Sequence, residues 1–145
     1  MNPFFPVILC VEDMAAHAHL FKHALKEVGT DVSFMHVTDG QAALDYLAQT
    51  NEFKEPELAP CPTLVLLDLN IPKIDGMEVL KKIRASASHS HIPVVIMSTS
   101  NYHKDIEAAY ENNANCYLVK PQDFDDLVDM VKGIVNFWLV CSCSK

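Results

Sequence analysis

No stretch of this 145-residue chain reaches the ~18 consecutive apolar residues that a membrane-spanning helix requires. Its start, Met1-Asn2-Pro3-Phe4-Phe5-Pro6, has neither the basic segment nor the apolar core of a secretory signal. Clusters of Lys and Arg are missing as well. With a net charge of −8, the chain has little with which to neutralise nucleic-acid phosphates or to hold an anionic bilayer. Four glycines and eight prolines exclude a collagen-like or low-complexity chain. The five cysteines (Cys10, Cys61, Cys116, Cys141 and Cys143) form an odd, scattered set, and the Cys141/Cys143 spacing is too short for a C-x-x-C redox or zinc pattern. Cys10 and Cys116 stand inside apolar runs, where a thiol behaves as a small hydrophobe. These absences predict reduced thiols, a cytoplasmic protein, and no nucleic-acid or membrane partner.

What is present is the pattern of one domain. Half of the residues are hydrophobic, enough for a sizeable core, and the length leaves no room for a second domain. Five β-rich runs recur, each followed by a helical pattern. Val7-Ile8-Leu9-Cys10-Val11 comes first, then Ala18, Phe21, Leu25 and Val28 at helical spacing, stopped by Gly29. Val32 to Val37 alternates as an edge strand does, and Asp39 is placed to cap a helix carrying Ala42, Ala43, Tyr46 and Leu47. Thr63 to Asp68 and Pro93 to Ser98 are apolar without alternation until they end on a polar residue, the texture of strands covered on both faces. Cys116 to Lys120 is the fifth run. After it, Phe124, Leu127, Val128, Val131, Ile134, Val135 and Trp138 make a helical stripe. Strand and helix in alternation imply a parallel sheet with helices on both faces. The long connection Asn51 to Pro62 reads as a mobile excursion or an extension of the preceding helix.

Ligands of an open parallel sheet bind beyond the carboxyl ends of its strands. There the sequence places Glu12 and Asp13, then Asp68, then Ser98, then Lys120. Clustered carboxylates raise one another's pKa unless a counter-charge is present, and a hard divalent cation such as Mg2+ supplies one through oxygen ligands. Asp68 is then a carboxylate nucleophile for a phosphoryl group, with Lys120 as the point charge for its oxygens and Ser98 as a hydrogen-bond donor. Any one of these residues alone would read as turn or cap chemistry; the conjunction reverses that reading.

Residues 7–13 (Val-Ile-Leu-Cys-Val-Glu-Asp), 64–76 (Leu-Val-Leu-Leu-Asp-Leu-Asn-Ile-Pro-Lys-Ile-Asp-Gly), 93–99 (Pro-Val-Val-Ile-Met-Ser-Thr) and 117–121 (Tyr-Leu-Val-Lys-Pro) resemble the response-regulator receiver family of two-component signalling over about residues 5–139. The resemblance implies an α/β, flavodoxin-like (βα)5 fold with a five-stranded parallel sheet in order 2-1-3-4-5. It implies one receiver domain over 1–145, without an output domain. It further implies Mg2+ on Glu12, Asp13, Asp68 and the backbone carbonyl of Asn70, and phosphorylation of Asp68. Ser98 and Tyr117 would form a switch, and Lys120 would be followed by a commonly cis-linked Pro121. Such a protein is not an enzyme apart from its own phosphorylation and dephosphorylation. Residues 115–118 and 131–139, with the long connection before the third strand, resemble the small regulators that pair with cyanobacterial and bacterial phytochrome histidine kinases. That likeness implies a phytochrome-type kinase as partner and a homodimer through the fourth helix, fifth strand and last helix, with Phe137, Trp138 and Leu139 as interface candidates.

Two other classes fit less well. A haloacid-dehalogenase-type hydrolase wants a second acid two residues beyond its nucleophile, where this chain has Asn70. A flavodoxin-like cofactor protein would place an FMN phosphate against Glu12 and Asp13, which repel it. His19 and His23, one helical turn apart, lack a third ligand and read as solvated helix residues; Asp75-Gly76 reads as a turn.

Overall fold

The computed structural model describes residues 5–140. Five strands alternate with five helices: β1 (Val7–Val11), α1 (Ala15–Val28), β2 (Ser33–Val37), α2 (Gly40–Ala48), β3 (Leu64–Leu67), α3 (Gly76–Ala85), β4 (Val94–Ser98), α4 (His103–Glu111), β5 (Cys116–Val119) and α5 (Phe124–Ile134). All strand pairs are parallel, and the order β2-β1-β3-β4-β5 is the expected one. β1, β3 and β4 are buried along their whole length, whereas edge strands β2 and β5 are only partly covered.

Strand side chains alternate between faces, and the two cores follow that parity. Leu9, Val11, Val65, Leu67, Val94 and Ile96 pack with α2, α3 and Ala109 of α4. Ile8, Leu64, Leu66, Val95 and Met97 pack with Phe21, Ala24 and Leu25 of α1 and with Val131 and Ile134 of α5. Helix boundaries follow local chemistry. Gly29 closes α1 at φ 80°, a left-handed conformation that costs glycine no Cβ clash. Asp39 caps α2, its carboxylate accepting from the Ala42 N–H at 2.7 Å. Asp75, read from sequence as a turn residue, is the N-cap of α3 and accepts from the Glu78 N–H at 3.0 Å.

Two expectations are corrected. The 51–62 connection is not an extension of α2, which ends at Ala48 with Gln49 left-handed at φ 56°. It also packs onto the body: Ala59 is buried, and the Tyr46 hydroxyl and Gln49 amide donate to the carbonyls of Pro60 (2.8 Å) and Ala59 (3.0 Å). Leu139, an interface candidate by sequence, lies 2% exposed in the core under α1 and α5, because a π-helical turn at Val135–Val140 carries it inward. Phe137 stays 63% exposed, and Trp138 is half-buried against it, ring centroids 4.6 Å apart. Cys141 and Cys143 lie outside the described residues.

Candidate functional site

Because the strands are parallel, β1, β3, β4 and β5 all end on one rim, and their next residues meet there. The backbone fixes each one. Glu12 N–H donates to Val37 O at 3.0 Å, Asp68 N–H to Val11 O at 3.1 Å, and Lys120 N–H to Ser98 O at 2.7 Å. Gly76 permits this arrangement, since a Cβ there would collide with the Asp68 carbonyl oxygen. Carboxylate oxygens of Glu12, Asp13 and Asp68 lie within 4.8 Å of one another; Glu12 and Asp68 are buried and Asp13 is exposed. The Lys120 ammonium donates to Glu12 Oε2 and Asp68 Oδ2, each at 2.9 Å. Asn70 N–H donates to the other Asp68 oxygen, Oδ1, at 3.1 Å. A cleft of about 510 Å³ opens beside these groups and runs along α1 past Leu20 and Phe21.

Electrostatics divides the acids. Burial, then the neighbouring Asp68, pushes the Glu12 carboxyl up to about 7, and Lys120 only partly offsets this. Burial alone would raise Asp68 too, but its hydrogen bonds with Glu12, Lys120 and the Asn70 N–H outweigh burial and hold it below the ordinary carboxylate value. Burial likewise disfavours the Lys120 cation, and Asp68 and Glu12 overcome that and raise it. The arrangement therefore keeps Asp68 ionised, Lys120 charged, and any shared proton on Glu12. Beneath them the Cys10 thiol, pushed up to about 12 by burial and then by Glu12, is inert.

Ser98 is fully buried, and its Oγ accepts from the Ser100 N–H at 3.2 Å. Thr99, the neighbouring hydroxyl, is the one that lines the cleft. Tyr117 points inward, 9% exposed, with its hydroxyl on Ser100 O at 2.8 Å. The peptide before Pro121 is trans, as every peptide among the described residues is; trans is favoured by ~0.5–1 kcal/mol for such bonds.

Two residues at the site escaped the sequence reading. His17 Nδ1 sits 3.0 Å from Lys120 Nζ and 3.1 Å from Glu12 Oε1. The available signal was positional: one turn into a helix that leaves an acidic loop, a side chain turns back over that loop. Ser100 joins Ser98 and Tyr117 to α4. Its hydroxyl donates to Asp105 at 2.6 Å and accepts from the Tyr102 N–H at 3.1 Å, so it braces the entry to α4, whose N-cap Tyr102 makes no side-chain cap bond. A Ser five residues before a helix acid carries too little sequence signal to be found.

The sequence profile described as the response regulator receiver domain matches residues 8–132. Response regulator Rcp1 of Synechocystis is 44% identical over 133 residues, 92% of this chain and 88% of that protein. The crystal structure of its Mn(2+)-bound form superposes with a TM-score of 0.83 over 93% of this chain and 95% of that one. The phosphorylated cyanobacterial phytochrome response regulator RcpA is 39% identical with a TM-score of 0.87, covering 94% of this chain and 96% of its own. The probable methanogenesis regulatory protein FilR2 of Methanothrix harundinacea is 43% identical over 138 residues, 95% of this chain and 85% of that protein. Among the described residues no helix is long and apolar enough to cross a membrane.

Proposed function

We propose, from the premise that this chain belongs to the response regulator receiver family, that Asp68 accepts a phosphoryl group from a histidine kinase and that the event is passed on through protein contacts. One observation carries the reading: a buried Asp68 held 2.9 Å from the Lys120 ammonium, inside a group of three carboxylates. In the transfer, a carboxylate oxygen of Asp68 forms the new O–P bond as the P–N bond of the donor phosphohistidine breaks, and the leaving imidazole takes up a proton. Lys120 neutralises charge on the transferring oxygens, and the Asn70 N–H orients Asp68.

The donor set fits a hard divalent cation: three carboxylates offer oxygens close together, and burial with the neighbouring Asp68 raises one of them, Glu12, in spite of Lys120, so further positive charge is accommodated there. Glu12, Asp13, Asp68 and the Asn70 carbonyl would hold Mg2+, which when bound supplies positive charge for the phosphoryl oxygens. The Mn(2+)-bound form of Rcp1 supports a divalent ion at such a site.

Loss of the Ser98 contact to Ser100, as Ser98 turns toward a phosphoryl oxygen, would release the link to Tyr117 and α4 and shift the population of shapes on the α4-β5-α5 face. Tyr102, Tyr110, Val119 and Phe137 are exposed apolar groups of these elements, and we assign them to a homodimer contact. The likeness to a phytochrome response regulator supports a phytochrome-type kinase as the donor. The 43% identity to FilR2 makes a kinase of another input class the alternative.

A small phosphodonor such as acetyl phosphate should label the wild type only when Mg2+ is present, and Asp68→Asn should not be labelled. Undiminished labelling of that variant refutes the assignment. Among purified histidine kinases, transfer should be fastest from a phytochrome-type donor; faster transfer from another class rejects that pairing.

A further inference from the structure

An ammonium has three N–H donors, and in Lys120 each has a partner: Glu12 Oε2 at 2.9 Å, Asp68 Oδ2 at 2.9 Å and His17 Nδ1 at 3.0 Å. The first two belong to the cluster of acids. The third comes from the first turn of α1, where His17 is half-buried at the mouth of the cleft. Lys120 can only donate, so Nδ1 is the acceptor and its lone pair faces the ammonium. Glu12 Oε1 approaches the same nitrogen at 3.1 Å, so His17, Glu12 and Lys120 form one hydrogen-bonded group.

Holding Lys120 matters because of where it stands. It follows an edge strand, precedes a proline, and carries its charge on a flexible stem with ~2 kcal/mol of rotamer entropy. Two acceptors leave an ammonium free to swing about the line between them. A third acceptor off that line fixes its position and orientation. The chemistry of the third acceptor counts as well. Another carboxylate there would repel an incoming phosphoryl group, whereas an imidazole nitrogen holds the cation through a lone pair.

Resting on the reading of Asp68 as phosphoacceptor, we propose that His17 is a positioning residue for Lys120: with Glu12 it holds two of the ammonium donors, so that the third is directed to the reacting oxygens at Asp68. His17 is not among the residues whose carboxylates group for a cation. Because its nitrogen also lies 3.1 Å from Glu12 Oε1, metal affinity is read beside the rate.

The test compares three proteins. His17→Leu removes the acceptor. His17→Asn keeps one, because Asn Oδ1 occupies the same place along the side chain as His Nδ1. With acetyl phosphate and Mg2+, labelling of Asp68 should slow about tenfold in His17→Leu, the size of one lost hydrogen bond to a charged group, and return to within about threefold of wild type in His17→Asn. Mn2+ affinity, read by electron paramagnetic resonance, should stay at the wild-type value in both. Independently of phosphorylation, the 15N spectrum of the Lys120 ammonium should lose its N–H signals to faster proton exchange in His17→Leu and keep them in His17→Asn. Wild-type rates in His17→Leu overturn the proposal, as do equal losses in both variants or a fall in Mn2+ affinity that matches the loss of rate. If the wild type itself takes no label on Asp68, the phosphoacceptor reading falls instead, and the ammonium spectrum still decides whether His17 positions Lys120.

Discussion

Metal-free protein should lose stability as the pH rises from 5 to 7, and Glu12 should be the cause. Burial takes the Glu12 carboxyl from its ordinary 4.5 to about 7. The folded protein therefore binds this proton more tightly than the unfolded chain does. The stability gained is full below the unfolded value, declines as pH rises, and is gone above the folded value. Two and a half pH units at ~1.4 kcal/mol each make the whole effect about 3.5 kcal/mol, of which about 2 kcal/mol is lost between pH 5 and 7. Asp68 works in the opposite sense, because its value is lowered from 3.8 and its contribution disappears only at more acid pH. Lys120, raised from 10.5, changes stability only in the alkaline range. Between pH 5 and 7 the slope of the site thus belongs to Glu12. Urea unfolding in the presence of a chelator, repeated across this range, gives the midpoint and slope from which stability follows. Over this range wild type should fall by about 2 kcal/mol relative to Glu12→Gln, whose carboxamide does not titrate. Mg2+ affinity should weaken below pH 7, because a ligating carboxylate must first give up its proton. Parallel stability profiles for wild type and Glu12→Gln would refute the reasoning.

Three further outcomes follow from packing and hydrogen bonding. Arg84 donates to the carbonyls of Asn113, Ser90 and Ile92 and to the Asn115 side chain, tying α3 to the loops before β4 and β5; Arg84→Met should cost about 3 kcal/mol in urea unfolding, because these acceptors lose a charged donor. Leu139→Ala should cost ~2–4 kcal/mol by leaving a cavity, whereas Phe137→Ser should leave stability within ~0.5 kcal/mol and lower the sedimentation mass if the dimer forms through that face. Ser100→Ala should be labelled on Asp68 at the wild-type rate while amide exchange in the first turn of α4 speeds up by about fivefold, corresponding to ~1 kcal/mol for a lost hydrogen bond. Unchanged exchange would deny Ser100 that role.

Much of the fold was legible because its signals are local and repeated. The unbroken apolar texture of residues 64–67 and 94–97 reflects burial on both faces, and it predicts parallel strands between two layers of helices. The rim was legible for a different reason: a polar residue that ends an apolar strand has one place to go. Glu12, Asp68 and Lys120 meet as expected. Features that depend on a second segment were hidden. Tyr46 shows helical periodicity, but nothing in the sequence tells that its hydroxyl would hold Pro60 and flatten the 51–62 connection onto the body. Leu139 follows Trp138 in a continuous apolar run, and only the π-helical widening of the last turn decides which of the two faces the core. His17 was overlooked because a histidine on a helix is usually solvated, and its partner Lys120 lies 103 residues away.

Side-chain parity along the sheet separates the interior into two compartments with no shared residues: one under α1 and α5, the other under α2, α3 and α4. Substitutions on opposite sides of the sheet should therefore add, within the few tenths of a kcal/mol usual for independent sites. The α1 side carries the mouth of the cleft, and the α4 side carries the contacts to Ser100. Under such a division, mutation can revise the surface that meets one partner while the energetics of the surface that meets another stay as they were. A duplicated gene of this architecture could thus diverge on one side of the sheet at no cost to the packing of the other.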